Sequence, residues 1–338
     1  MDGVVTSTLN FRDELERRGH NVYIFATGNI KATHVSKEKN VFLYPGVKFK
    51  PYPQYNVALF PYNSIFKLNE LKIDVVHAQT PMVMGFAGMM AAKMLRCPVV
   101  GSFHTMVTNK PIIDAYYPKN KHLKKIAKMS MLSYLKFFYN SCDEVIAPTG
   151  TIGGVLRSYG IPKVNVVPNA IDTSILNPRV SGTKVRKALG MKPRDKVILY
   201  LGRLSREKKI EVLLSAARIL MKKDDKVKLV IGGSGPAESY YKNMAKKLGI
   251  MESTKFIGFV SQDALAHTYA AADVVCLPST FETQGIVLIE AMALGKPVVG
   301  ADYLAIKEMI KNGVNGEKFI PGDYTSCAKR IEKVLNSI

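Results

Sequence analysis

The sequence predicts an α/β protein of two Rossmann-like, doubly wound domains facing each other across a cleft, and three observations predict it. The chain has 338 residues, 47% of them hydrophobic, which is enough for two ordinary domains each with its own core. Short β-branched runs alternate with amphipathic helical stretches throughout, the pattern of parallel strands joined by crossover helices. That pattern breaks once, at Pro168-Asn169-Ala170-Ile171-Asp172 and the polar stretch 177–183, so the halves read as two copies of one architecture.

Strands are expected at 22–27, 74–78, 98–103, 144–147 and 165–167 in the first half. In the second half they are expected at 196–202, 228–232, 255–259, 273–277, 297–300 and 317–319. The domain boundary is placed near Thr173, giving an N-terminal domain 1–172 and a C-terminal domain 173–338. The last helix is left free to cross back to the first domain. A doubly wound domain normally opens with a central strand that feeds a glycine-bearing turn and then a helix. Here Asp2-Gly3 is already in the turn, with a helix over 7–17, so the first strand of the N-terminal domain is expected to be missing.

Composition narrows the function classes. Cys97, Cys142, Cys276 and Cys327 lie far apart and form no Cys-x-x-Cys or Cys/His cluster, which signals neither a disulfide framework nor a zinc site. The most apolar stretch, 81–92, is short of the roughly 20 residues that span a bilayer, and residues 1–8 lack the apolar core of a secretion signal. A cytoplasmic protein is expected. A formal charge of +21 draws phosphates, nucleic acids or anionic lipid surfaces, and no nucleic-acid recognition motif accompanies it.

The most specific motif runs from Phe281-Glu282-Thr283-Gln284-Gly285-Ile286 through Glu290 to Gly295, with two glutamates separated by seven residues. It follows a strand and opens a helix. Amides of Gly285 and Ile286 at a helix N-terminus favour a phosphate. Glu282 just before the helix and Glu290 inside it suit a sugar hydroxyl and a ribose diol, with a diphosphate between them. The alternative is a dipole-stabilising cap for Glu282 and a solvated helix face for Glu290.

A second motif, Tyr200-Leu201-Gly202-Arg203-Leu204-Ser205-Arg206-Glu207-Lys208, ends a strand with cations Arg203 and Lys208 five positions apart. An arginine fork and a lysine ammonium clamp a diphosphate and offset charge as it leaves. Gly232-Gly233-Ser234-Gly235 after the next strand is a weaker phosphate-loop signal.

Together, Gly202 to Lys208, Gly232 to Pro236 and Glu282 to Ala293 resemble glycosyltransferase family 4, retaining enzymes of the GT-B fold, and the likeness runs over nearly the whole chain. It extends to Val167-Pro168-Asn169-Ala170-Ile171-Asp172 and to Ser102-Phe103-His104-Thr105, where the family has a histidine that reaches the donor sugar. The resemblance implies that Arg203 and Lys208 bind the diphosphate, Glu282 the donor sugar and Glu290 the ribose. His104 would face the reacting sugar, and Gly3 would lie under the phosphates. Ile257 and Gly258 would accept the base edge through their backbone. Gly202, Gly233, Thr283, Gln284, Gly285 and Ile286 complete the implied donor site. Lys209 and Ala170 stand where glycine is commoner in the family. His77 and Gln79, at another strand end, are weaker pocket candidates. No Asp-x-Asp pair or His/carboxylate cluster stands out, so no metal is expected to bridge the diphosphate. The resemblance also implies front-face attack, with the leaving phosphate oxygen taking the acceptor's proton.

Two features point toward a lipid acceptor. Residues 109–139 hold seven lysines against one acid, Asp114, and Lys121, Lys124, Lys125 and Lys128 share one helix face. Leu132, Leu135, Phe137 and Phe138 supply apolar bulk, as an interfacial helix on anionic headgroups requires. Residues 44–59 read as a proline- and tyrosine-rich loop, which with Glu282-Thr283-Gln284-Gly285 resembles the diacylglycerol glucosyltransferase branch. The expected reaction moves glucose from UDP-glucose to a glycerolipid hydroxyl at the inner membrane face. Mannosyl or other hexosyl transfer to a phosphoinositide or soluble sugar, and an inactive nucleotide-sugar-binding module, stay open as alternatives.

Overall fold

The computed structural model describes residues 3–28, 35–36, 40–49, 52–59, 64–104, 106 and 120–337. They fall into two compact units: a first, Thr8–Pro168, and a second, Asn169–Ile338 together with Met1–Ser7. The chain parts at Asn169, four positions before the expected boundary at 173.

Helix α1 (Gly3–Arg17) starts earlier than expected, so Gly3 is its first residue and not part of a preceding turn. Within the second unit, buried Ser7 donates from Oγ to Asn169 Oδ1 at 2.6 Å, which ties down the start of this helix. In the first unit, β1 (Ile24–Thr27), β2 (Val35–Ser36) and β3 (Val41–Tyr44) form a small sheet in the order β1-β3-β2.

Residues 44–59, expected to be a loop, instead contain the antiparallel ribbon of β4 (Gly46–Phe49) and β5 (Tyr52–Ala58), with Val47 paired to Val57. Pro53 is no obstacle, because a two-stranded ribbon has outer edges that need no amide donor. Then follow α2 (Ser64–Glu70), β6 (Val76–Ala78), α3 (Val83–Met94), β7 (Val99–Ser102), α4 (Lys121–Asn140), β8 (Glu144–Ala147), α5 (Gly150–Ser158) and β9 (Val164–Val166). Strands β6-β7-β8-β9 make a parallel sheet in sequence order. Its core is Val99, Val145 and Ala147 against Met89, Ala92, Leu135, Phe138, Ile152 and Leu156, all essentially inaccessible. Among the described residues no strand joins β1 to β6.

The second unit contains α6 (Thr183–Ala188), β10 (Lys196–Leu201), α7 (Ile210–Lys223), β11 (Val227–Gly232), α8 (Glu238–Lys247), β12 (Thr254–Gly258) and α9 (Gln262–Ala270). It continues with β13 (Val274–Leu277), α10 (Ile286–Ala293), β14 (Val298–Ala301), α11 (Leu304–Met309), β15 (Gly316–Phe319) and α12 (Tyr324–Leu335). The six strands form one parallel sheet in the order β12-β11-β10-β13-β14-β15. Helices cover both faces, so the central strands are apolar on both sides: Val197 to Leu201 and Val274 to Leu277 are buried throughout. The last helix, left free by the sequence to cross back, packs within the second unit on α7 and β15.

Candidate functional site

The sheet order creates a crevice. The chain builds β10, β11 and β12 outward in one direction, then returns to lay β13, β14 and β15 on the other side of β10. Loops leaving β10 and β13 therefore diverge at the carboxyl edge, the place where open parallel sheets bind ligands.

Those two loops carry the charges singled out in the sequence, and the structure brings them together. Lys208 ends a short 3-10 turn, Arg206–Lys208, after β10; Glu282 precedes α10 after β13. Lys208 Nζ donates to Glu282 Oε1 at 2.8 Å, and the two side chains are only 20% and 15% exposed. The ring of Phe281 lies 5.9 Å from the same ammonium. Buried Tyr200 donates from its hydroxyl to the Arg203 carbonyl at 2.9 Å, fixing the turn that carries Arg203. Burial raises the Tyr200 phenol well above its usual range, and the nearby Glu282 charge adds to the effect.

Glycines let three strand ends close up beside this pair. Gly202 N–H donates to Gly232 O at 3.1 Å, and Gly233 N–H donates to Gly258 O at 2.6 Å. Gly233 has φ +124°, and a Cβ there would lie 1.8 Å from Gly202 O, so no other residue fits. Ile257 and Gly258 end β12 at the same edge, with Gly258 in the left-handed region.

Helix α10 begins after Gly285, whose φ of 82° makes it a left-handed cap with no side-chain bond. Glu282 is thus not the cap; it is held by Lys208. The amides of Ile286 and Val287 lie at the positive end of the dipole, ahead of the Leu288 N–H, which donates to Gly285 O at 2.8 Å. A Cβ on Gly3 would lie 3.7 Å from Ile286 Cδ1, so the start of α1 also belongs to this corner of the second unit.

Two residues expected to read a ligand have additional duties. Gln284 is buried, and its Oε1 accepts from the Asn169 backbone N–H at 3.0 Å and from the Asn169 side-chain amide. Ser7, Asn169 and Gln284 thereby form one polar chain behind the Glu282-to-Gly285 loop. Glu290 is not on a solvated face: it is 7% exposed and accepts at Oε2 from the Tyr269 hydroxyl at 2.6 Å. Burial raises its carboxyl pKa, and the tyrosine bond opposes that shift. The sequence carried no signal for Tyr269; Asn169 lay in the quoted linker motif without an assigned role.

In the first unit, β6 and β7 are neighbours, and Gln79 and His104 follow their respective ends. His104 Nε2 lies 2.8 Å from Gln79 Oε1, and since a carbonyl only accepts, Nε2 carries the proton. His77 Nε2 lies 2.7 Å from Ser102 Oγ, and burial lowers its pKa to about 4. Thr105 lies outside the described residues.

Helix α4 is capped by Asn120, whose side chain accepts from His122 and Leu123 amides. Lys121, Lys125 and Lys128 are exposed and Lys124 half-buried. Of the apolar residues expected beside them, Leu135 and Phe138 are core and Leu132 is half-buried; only Phe137 is exposed. Leu123, Ile126 and Met129 are more than half exposed; by the helical period Met129 lies beside Lys125, and Leu123 and Ile126 lie farther round from the lysines. Lys110, Asp114 and Lys119 lie outside the described residues. Among the described residues, no group of three His, Cys, Asp or Glu is placed to hold a metal ion, and no helix is long and apolar enough to cross a membrane.

A six-stranded parallel sheet with an ion pair at its switch point, together with a second α/β unit, defines a glycosyltransferase of GT-B architecture. Residues 1–175 match the family described as Glycosyltransferase Family 4 and residues 182–337 the one described as Glycosyl transferases group 1; the chain belongs to glycosyltransferase family 4. It is 31% identical over 342 residues to the alpha-monoglucosyldiacylglycerol synthase of Streptococcus pneumoniae, covering 99% of this chain and 76% of that protein. It is 28% identical over 324 residues to a GDP-mannose-dependent alpha-mannosyltransferase of Corynebacterium glutamicum, covering 94% and 73%. Among solved structures, Anabaena HepE in complex with UDP-glucose superimposes with a TM-score of 0.74 at 21% identity, over 100% of this chain and 87% of that one. The enzyme is thus a hexosyltransferase by family, similar to the diacylglycerol glucosyltransferase-like branch.

Proposed function

We propose that this enzyme transfers glucose from UDP-glucose to a glycerolipid hydroxyl at an anionic membrane surface, with retention at the anomeric carbon. The single observation that carries the nucleotide-sugar reading is the Lys208–Glu282 pair at the switch point, beside the glycine-lined strand ends and the N-terminus of α10. An ammonium and helix amides suit a diphosphate, and a carboxylate next to them suits a sugar hydroxyl. As the glycosidic bond breaks, charge accumulates on the leaving phosphate, and Arg203 and Lys208 stabilise it. Retention follows if the acceptor attacks the face the diphosphate leaves, its proton passing to the departing phosphate oxygen; no side chain need serve as base. His104, oriented by Gln79, is the residue that the family likeness gives to the reacting sugar.

The lipid acceptor and the inner-face membrane location are supported by the S. pneumoniae relative and by the lysine-rich, apolar-flanked α4. Mannosyl transfer is the second reading, supported by the C. glutamicum relative. Radiolabelled UDP-glucose and GDP-mannose, each offered with diacylglycerol-containing vesicles or with soluble sugars, separate the two. Label is expected in the lipid phase from UDP-glucose, and Lys208→Ala and Glu282→Ala are each expected to lower kcat by about 10²–10³-fold. Full turnover by either variant would refute the site, and transfer only to soluble sugars would refute the acceptor.

A further inference from the structure

We infer that Tyr269, a residue of α9 with no place in the recognised motifs, is the positioning residue that makes Glu290 a reader of the ribose diol. The inference rests on the nucleotide reading above and concerns how that reading is implemented.

Glu290 is a carboxylate in a nearly closed environment, 7% exposed, on the fifth residue of α10. Buried carboxylates persist when hydrogen bonds satisfy them. Its Oε2 takes the hydroxyl of Tyr269, itself fully buried, at 2.6 Å. Among the described residues Oε1 accepts no hydrogen bond. One oxygen is therefore fixed by the Tyr269 hydroxyl, and the other is the one a ribose diol would engage. Tyr269 has no other hydrogen bond to make from its hydroxyl, and its ring is anchored in the second unit's core. The two residues come from different helices, so the bond also holds the carboxylate in one rotamer. A carboxylate held in one orientation can tell a ribonucleotide from one lacking its hydroxyls, because only the former brings donors to it.

The test is calorimetric binding of UDP and of 2′,3′-dideoxyuridine diphosphate to the full chain. Wild type is expected to prefer UDP by about tenfold or more, and Tyr269→Phe, which deletes only the hydroxyl, to lose most of that preference while keeping its affinity for the dideoxy compound. In turnover the same variant should raise the donor KM with little change in kcat. Glu290→Gln keeps the shape and removes the charge, so it too should lose the preference, and adding Tyr269→Phe to it should cost nothing further. Undiminished discrimination in Tyr269→Phe, or full additivity in the double variant, would overturn the role of Tyr269 alone. Wild type that binds neither compound would instead overturn the nucleotide reading. Should Tyr269→Phe fail to fold, by circular dichroism and melting, discrimination retained in Glu290→Gln would equally overturn the inference.

Discussion

Several polar side chains in this protein are paired away from water, and the half-buried His77 shows what such a pair does to stability. Its imidazole sits against Ser102 Oγ and the edge of Phe11, and burial keeps it neutral down to about pH 4. In the unfolded chain it takes up a proton near pH 6.5. The folded pKa is thus the lower one, so its contribution is fully present above pH 6.5 and is lost as pH falls toward 4, by roughly 3 kcal/mol at most. Melting curves from pH 7 to 4 are expected to fall less steeply for His77→Gln than for wild type; parallel curves would contradict this. At this scale the sequence was legible wherever a residue type announces its own chemistry. Lys208, Glu282 and Gly285 are of that kind, since a cation, a carboxylate or a positive φ next to a strand end narrows the role. Gln284, Asn169 and Tyr269 are not: their bonds span 115 positions between Asn169 and Gln284, and 21 between helices for Tyr269 and Glu290. No local pattern encodes such partners.

Among the elements, strands were read to within a residue or two where hydrophobic runs were continuous. Expected 144–147 is β8 as found, and 196–202 is β10 with Gly202 beyond its end. The ribbon of β4 and β5 was missed because prolines and tyrosines in 44–59 mask a pairing that depends on the partner strand and not on either run alone. Helix α4 was legible in its basic face but not in its apolar one. Its expected bulk, Leu135 and Phe138, is spent on the core, and Leu123, Ile126 and Met129 are the groups left exposed. Lysines beside an exposed apolar flank are what an interfacial helix uses, each cation giving about 1 kcal/mol near anionic lipid. Vesicle co-sedimentation at low salt is therefore expected to fall when Lys121, Lys124, Lys125 and Lys128 are changed together to Gln, and to fall on neutral vesicles for wild type. Binding indifferent to both changes would remove the membrane role from this helix.

For the molecule as a whole, the two units differ in how their cores are built. The second has one six-stranded sheet with an apolar cluster from Leu176 to Leu335; among the described residues, the first divides its strands among three smaller sheets. Calorimetry is expected to resolve more than one transition, the first unit melting at the lower temperature. UDP at 100 times its dissociation constant should raise the second unit's transition by the equivalent of about 2.7 kcal/mol and leave the other in place. A single transition shifted as one would contradict both statements. The net charge of +21 gathers every kind of anion around such a molecule without choosing among them. The choosing falls to the salt bridge at the switch point. A lone phosphate arriving at Lys208 must displace a carboxylate that gains nothing from being set free. A visitor bringing an anion and hydroxyls on one scaffold compensates both partners at once. On the proposed reading, the internal counter-ion would work as a two-key lock, shut to the commonest anions in its surroundings because each holds only one of the keys.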